Sequence, residues 1–188
     1  MAEPRQPSSP VTLMVRLDSE RQKLLSAMQL TAVTLFGWLD YHLHQFQTRG
    51  FRGPAYAPAD PDGDDDFFGE APLDESQATV GELLPAVGST MTYTYDFGDN
   101  WVHTLKVEKI LPDDGGGRLP RCTAGRGAAP AEDSGGTRGW ATIVQAVNDP
   151  SHEEHTDYRE WLGMLPGQTL DPMSFDMEEA NEDLAKLF

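Results

Sequence analysis

The segment YTYDFGDNWVHTLKVEKIL, from Tyr93 to Leu111, has the clearest secondary-structure pattern in the chain. Aromatic and β-branched residues alternate with polar ones on both sides of a break rich in Asp, Gly and Asn. Such a pattern is typical of a β-hairpin. We therefore predict a hairpin over about 90–111, with 98–100 as turn residues and Gly98 at positive φ. The side chains predicted to face the core are Tyr93, Tyr95, Phe97, Trp101, His103, Leu105 and Val107.

Shorter patterns on either side of this hairpin predict the other elements. Strands are expected at Val11–Leu17 and His42–Gln47. Helices are expected from Asp18 or Ser19 to near Gly37, within 78–88, from about Thr137 onward, at Asp149–Ser151 and near Asp176. Residues 1–10 are expected to be flexible, and loops are predicted at about 49–76 and 112–137. Because strands precede helices, the prediction is one α+β domain over 11–188, mostly antiparallel, with the hairpin packed by helices from both ends of the chain.

The charge is strongly negative, with 31 acidic residues against 14 basic ones and a net charge of −17. An acidic surface repels phosphate backbones, so it disfavours nucleic acid as a partner and leaves protein as the expected one. The single cysteine, Cys122, excludes an intrachain disulfide framework and fits a reducing compartment. No apolar run approaches the ~20 residues of a membrane helix. We therefore predict a cytoplasmic protein without a membrane partner.

Two metal-binding patterns fail on their spacing. A calcium loop that starts at Asp60 would have Asp65 where glycine is required and Ala71 where a bidentate glutamate belongs. The segment SHEEHTDY has His152 and His155 three residues apart, whereas the zinc protease pattern needs four.

The acidic turn of the hairpin allows two interpretations. In the first, it is architectural, and the chain has no catalytic residues and no cofactor. In the second, Asp96, Asp99 and His103 form a catalytic cluster with a divalent metal ion. Carboxylates and imidazole together can bind such an ion and activate water. The candidate metal ligands are His42, His44, Asp99 and His103.

Several blocks of the chain together resemble a known family: GWLDYHLHQF, YTYDFGDNWVHTLKVEKILP, PRCTAGRGAAPAEDSGG and VNDPSHEEHTDYREWLG. They are similar to the plasmid open-reading-frame-three-like family, named from a root-inducing plasmid. The positions that match its signature here are Tyr95, Asp96, Phe97, Gly98, Asp99, Trp101, His103, Cys122, Glu132 and Asp133. The resemblance implies a single α+β domain. Relatives are labelled as insertion-sequence passenger proteins or resolvases, without an activity that can be carried over.

Two departures from this family bear on function. Relatives often carry further cysteines after Cys122, where this chain has Ala129 and Ser134, so a closed zinc site is not expected. Relatives usually have a second N-terminal strand before the first helix, whereas here Val11–Leu17 runs almost directly into DSERQKLL, so the comparison implies an incomplete N-terminal sheet. The resulting prediction is an uncharacterised, noncatalytic protein-interaction module, linked to mobile elements by ancestry. The alternative is a metal-dependent hydrolase or nuclease-like enzyme that uses the Asp/His cluster.

Overall fold

The computed structural model describes residues 12–16, 24–48, 52–59, 71–111 and 119–187. These residues form seven strands and five α-helices, which confirms the predicted α+β class. The strands are β1 (Thr12–Arg16), β2 (His44–Thr48), β3 (Ala55–Ala57), β4 (Leu73–Asp74), β5 (Thr90–Tyr95), β6 (Trp101–Lys106) and β7 (Arg121–Arg126). The helices are α1 (Leu25–Phe36), α2 (Val80–Leu83), α3 (Gly136–Asn148), α4 (His155–Trp161) and α5 (Met177–Leu187). No helix in this part of the chain is long and apolar enough to cross a membrane.

The strands form two sheets. The larger one has the strand order β4-β3-β2-β5-β6, and only its β3–β4 pair is parallel. The smaller one joins β1 and β7 in antiparallel register, with an irregularity between Met14 and Val15. Because β5 lies between β2 and β6, the predicted hairpin forms one end of the larger sheet, with β6 as the edge strand.

The hairpin has the expected cross-strand pairs, Tyr93 with His103 and Tyr95 with Trp101. Strand β5 is buried on both faces from Met91 onward, whereas β6 alternates between buried and exposed residues. Phe97 differs from the expectation, because it is 36% exposed. It follows Asp96, whose positive φ ends the alternation of the strand.

The turn of the hairpin also differs from the prediction. The positive φ angles belong to Asp96 (54°) and Asn100 (57°), not to Gly98. Asp and Asn tolerate this left-handed region better than most residues. Asp96 Oδ1 accepts hydrogen bonds from the N–H groups of Gly98 and Asp99, at 2.9 and 3.3 Å. The Asp96 side chain therefore organises the turn that follows it.

Helix α1 ends at Gly37, whose φ of 68° allows the chain to leave the helix in a left-handed turn. Trp38 follows and is buried, with its ring stacked between Phe36 and Tyr95, both at 4.6 Å between ring centroids. Its Nε1–H donates to the carbonyl oxygen of Pro130 at 2.9 Å. Trp38 therefore ties the loop after α1 to the loop before α3. The predicted helix start at Asp18 or Ser19 lies outside the described residues, but Leu24 has an extended backbone, so α1 begins later than predicted, at Leu25.

The predicted loops contain strands that local patterns do not indicate. The segment 112–137 holds β7, and the segment 49–76 holds β3 and β4. Strand β7 pairs with β1, more than a hundred residues earlier in the chain, and packs on α5 through Asn181. The Asn181 side chain accepts from the Cys122 N–H and donates to the Cys122 carbonyl, both at 2.9 Å. Cys122 itself is buried.

The helix starts agree in part with the sequence patterns. Asp176 Oδ1 accepts from the N–H groups of Glu178 and Glu179, as predicted for the cap of α5. The predicted start at Asp149 is wrong, because α4 begins only at His155. The Asp149 carboxylate instead bonds the Ser151 N–H in a local turn.

Candidate metal centre

Three loops bring one histidine and three carboxylates to the same point. His42 lies in the loop between α1 and β2, and Asp96 is the first residue after β5. Glu132 and Asp133 lie in the loop between β7 and α3. We call these four residues the His42 cluster. Their convergence is a property of the tertiary fold, because the three loops are far apart in sequence.

The three carboxylates surround one atom, Nε2 of His42. Asp133 Oδ1 lies 3.2 Å from this nitrogen, Glu132 Oε2 lies 3.7 Å from it and Asp96 Oδ2 lies 3.8 Å from it. One ligand atom each from His42, Asp96 and Asp133 lie within 4.8 Å of one another. Glu132 lies beside this group of three and completes the cluster.

Each carboxylate is held in place through its other oxygen. Asp96 Oδ1 accepts from the turn N–H groups of Gly98 and Asp99. Glu132 Oε1 accepts from the Leu39 N–H at 2.8 Å and from the Tyr95 hydroxyl at 2.9 Å.

Asp133 is held in the same way, since its Oδ2 lies 3.4 Å from the Tyr41 hydroxyl. The oxygens left over are the ones nearest to His42. Outer contacts of this kind orient the ligands of metal sites.

Two buried atoms of the cluster lack a hydrogen-bond partner among the described residues: His42 Nε2 and Glu132 Oε2. A buried polar atom without a partner costs roughly 1–3 kcal/mol. The two atoms lie 3.7 Å apart, too far for a direct hydrogen bond. A cation between them would satisfy both.

The spacing of these atoms fits such a cation. Ligand atoms that lie ~2.1 Å from a tetrahedral zinc ion lie ~3.4 Å from one another. The distances of 3.2 to 3.8 Å around His42 Nε2 bracket this value. One imidazole with two or three carboxylates suits a transition metal such as Zn²⁺ or Mn²⁺ better than it suits Ca²⁺, which prefers oxygen ligands alone.

The cluster is buried on one side and open on the other. The side chains of Asp96 and Glu132 are only 9% and 12% exposed, whereas that of Asp133 is 61% exposed. Catalytic metal sites keep a position open to water, in contrast to closed structural sites. The exposed Asp133 gives this cluster such an open side.

The negative field of the cluster acts on two neighbouring tyrosines. Burial and the hydrogen bond to Glu132 raise the pKa of Tyr95 well above its usual value. Desolvation and the charges of Asp133 and Glu132 also raise the pKa of Tyr41. Both hydroxyls therefore remain protonated donors to the carboxylates at neutral pH.

The other residues proposed from sequence lie elsewhere. His44 is buried and its Nε2 pairs with Glu75 Oε2 at 2.9 Å. Asp99 Oδ2 accepts from the Gly135 N–H at 3.0 Å, a contact that joins two loops. Of the predicted metal ligands and catalytic residues, the structure brings together only His42 and Asp96.

His103 lies among aromatic rings on the core side of β6. Its ring centroid is 4.5 Å from that of Phe36, 5.6 Å from that of Trp38 and 5.7 Å from that of Tyr93. Burial lowers the pKa of His103 to about 4, so the imidazole is neutral at physiological pH. This environment agrees with the core position that the hairpin pattern predicts.

Sequence reasoning did not place Glu132 and Asp133 in the metal site, although the family resemblance included both in its signature. They lie in a Gly- and Pro-rich segment where no periodicity indicates a face. Asp133 also has a positive φ of 53°. The signal that could have found them is their place in the same signature as Asp96.

Comparisons with known proteins agree with one another. Residues 12–179 match the family model described as plasmid pRiA4b ORF-3-like protein. The chain is 30% identical over 178 residues to the uncharacterised protein y4hQ of Sinorhizobium fredii, covering 93% of this chain and 82% of the relative. A crystal structure of the protein of unknown function MM3350 from Methanosarcina mazei Go1 matches with a TM-score of 0.74 and 30% identity. That match covers 92% of this chain and 90% of the other.

Proposed function

For this chain, which belongs to the plasmid pRiA4b ORF-3-like family, we propose a function as a metal-binding protein. His42, Asp96 and Asp133 bind one divalent transition-metal ion, and Glu132 lies beside them as a further ligand. The observation that supports this proposal is that three carboxylate oxygens surround Nε2 of His42, which has no hydrogen-bond partner among the described residues. Each of these carboxylates is held in place by hydrogen bonds to its other oxygen.

A proton is the competing occupant of this space. A protonated His42 would form ion pairs with the same carboxylates and need no metal. However, only Asp133 Oδ1, at 3.2 Å, lies near hydrogen-bonding distance of Nε2, while the other two oxygens lie at 3.7 and 3.8 Å. The single N–H at Nε2 can donate a hydrogen bond to one of these oxygens, whereas a metal ion can contact all of them.

The use of the ion that we propose is activation of water for hydrolysis. A bound divalent ion lowers the pKa of its water and polarises the bond to be broken. The exposed side of Asp133 gives water and a substrate access to the ion. Three carboxylates around one divalent ion leave that centre with a net negative charge, so neutral or cationic substrates are favoured over phosphodiesters.

The noncatalytic interaction module is the second candidate. It is favoured by Leu39, Tyr41 and Leu43, which are 71%, 56% and 68% exposed in the loop that carries His42. In this version the ion fixes the three loops and thereby the shape of a protein-binding surface. The proposed compartment is the cytoplasm, which the buried free thiol of Cys122 supports. The proposed link to mobile elements is one of ancestry only.

The first experiment measures metal binding by the full chain. Chelator-treated protein is titrated with Zn²⁺ and with Mn²⁺ in the presence of excess Mg²⁺, which saturates nonspecific acidic sites. We expect one ion per chain, and a loss of affinity of at least about 10-fold in His42→Ala, Asp96→Asn and Asp133→Asn. Asp183→Asn, an exposed change of the same type on α5, is the matched control. Weak binding that is equal in all variants would contradict the proposal.

The second experiment distinguishes the two uses of the ion. Water proton relaxation by the Mn²⁺-loaded protein reports whether an exchangeable water lies on the metal. Enhanced relaxation supports the hydrolytic centre. A bound ion without exchangeable water would instead favour the noncatalytic module.

A further inference from the structure

Strand β6 is the last strand of the larger sheet, and no strand of the described chain pairs with its outer side. The Val107 N–H donates to the Ser89 carbonyl, and the Val107 carbonyl accepts from the Gly88 N–H. Val107 therefore faces the sheet. Because main-chain groups alternate in an antiparallel pair, those of Thr104, Lys106 and Glu108 face the open edge.

The side chains along this edge are exposed and mixed in character. Val102 is 45% exposed, and beyond the strand Ile110 and Leu111 are 63% and 59% exposed. Lys106 and Glu108 are also exposed. An exposed edge strand without a Pro or a bulge is a template for pairing with another strand.

The charges along the edge complement a second copy of the same edge. In an antiparallel pair related by a two-fold axis at Val107, Lys106 lies opposite the partner's Glu108, and Glu108 lies opposite the partner's Lys106. Thr104 then lies opposite the partner's Ile110. The main-chain groups of Thr104, Lys106 and Glu108 face the open edge, so Lys106 and the partner's Glu108 can form a hydrogen-bonded pair in this register.

We propose that two copies of this chain associate through an antiparallel pair of β6 strands and the segments that follow them, and form one continuous sheet of ten strands from two sheets of five. This proposal does not depend on the metal centre. The same sequence supplies both halves of each charge pair, as an isologous interface requires. An edge contact buries little surface, and each chain carries a net charge of −17, so we expect a weak dimer whose population rises with protein concentration.

The test is a charge swap on the full chain, measured by sedimentation at several protein concentrations in physiological salt. Lys106→Glu alone and Glu108→Lys alone each place like charges opposite one another. The double variant Lys106→Glu, Glu108→Lys restores opposite charges. We expect each single change to weaken the dimer at least about 5-fold and the double change to restore it. Circular dichroism confirms that each variant is folded.

A second variant tests the main-chain pairing. Thr104→Pro removes an N–H that faces the open edge, so the β5–β6 ladder retains its hydrogen bonds. We expect a folded monomer. A wild-type chain that stays monomeric at all concentrations would overturn the proposal, as would a dimer that none of these changes affects. A monomer that binds an extended peptide through this edge would also overturn the proposal, because the partner of the edge would then be another protein and not a second copy.

Discussion

Asp99 Oδ2 accepts a hydrogen bond of 3.0 Å from the Gly135 N–H, and this contact joins the turn that carries Asp96 to the loop that carries Asp133. It also places an acceptor at the N-terminus of α3, which has no side-chain cap of its own. Asp99 therefore positions the two halves of the His42 cluster without being one of its ligands. Asp99 was one of the candidate metal ligands predicted from the sequence, and its contact with Gly135 instead gives it a positioning role.

Replacing Asp99 tests this positioning role. Asp99→Ala leaves the Gly135 N–H without its acceptor, so we expect the free energy of unfolding to fall by about 1 kcal/mol. Metal affinity should fall severalfold, because the loop of Asp133 is held less firmly. Asp99→Asn keeps an acceptor oxygen, so its free energy of unfolding and its metal affinity should both fall less than those of Asp99→Ala. Urea unfolding and metal titration measure the two effects; an Asp99→Ala chain with unchanged affinity would show that the contact does not position the cluster.

At Gly136 the start of α3 approaches the hairpin turn closely, at Asp99. A Cβ at this position would lie 2.8 Å from the carbonyl oxygen of Asp99, and its φ is 68°. Gly163 has a similar φ of 64° but open space around it. In both Gly→Ala changes the positive φ lowers the free energy of unfolding by roughly 1–2 kcal/mol. Any additional decrease in Gly136→Ala therefore comes from the steric contact with Asp99. Equal losses in urea unfolding would mean that the loops move apart freely.

The sequence predicted the parts of this structure that depend on local patterns. The alternation around 93–107 predicted the β5–β6 hairpin, and the sequence around Asp176 predicted the cap of α5. Strand β7 was missed because its partner β1 lies at the other end of the chain. The cluster was only half predicted for the same reason: His42 and Asp96 lie beside recognisable strands, whereas Glu132 and Asp133 reach them through the contact of Trp38 with Pro130.

His103 should make the stability depend on pH. Its pKa is about 4 in the folded chain and 6.5 for the free side chain, so the unfolded state binds a proton more readily. The free energy of unfolding therefore falls as the pH drops from 6.5 to about 4, by about 3 kcal/mol from this residue. His103→Phe keeps a ring among Phe36 and Trp38 and removes the titrating group.

Urea unfolding at several pH values compares the two proteins without metal. We expect the curve of His103→Phe to be flatter by this amount in the same interval. Identical pH dependence in both proteins would show that His103 is not buried as a neutral ring. Other histidines and carboxylates are common to both proteins, so their contributions cancel in the comparison.

Binding of a divalent ion by the His42 cluster is measured by the thermal stability of the chelator-treated protein with and without Zn²⁺ or Mn²⁺. A ligand at ~100 times its dissociation constant stabilises the folded state by ~2.7 kcal/mol. We expect a clear rise of the melting temperature in the wild type and in Asp183→Asn. We expect a much smaller rise in His42→Ala, whose affinity for the ion is lower. An equal rise in His42→Ala, or none in the wild type at saturating metal, would contradict binding of the ion by this cluster.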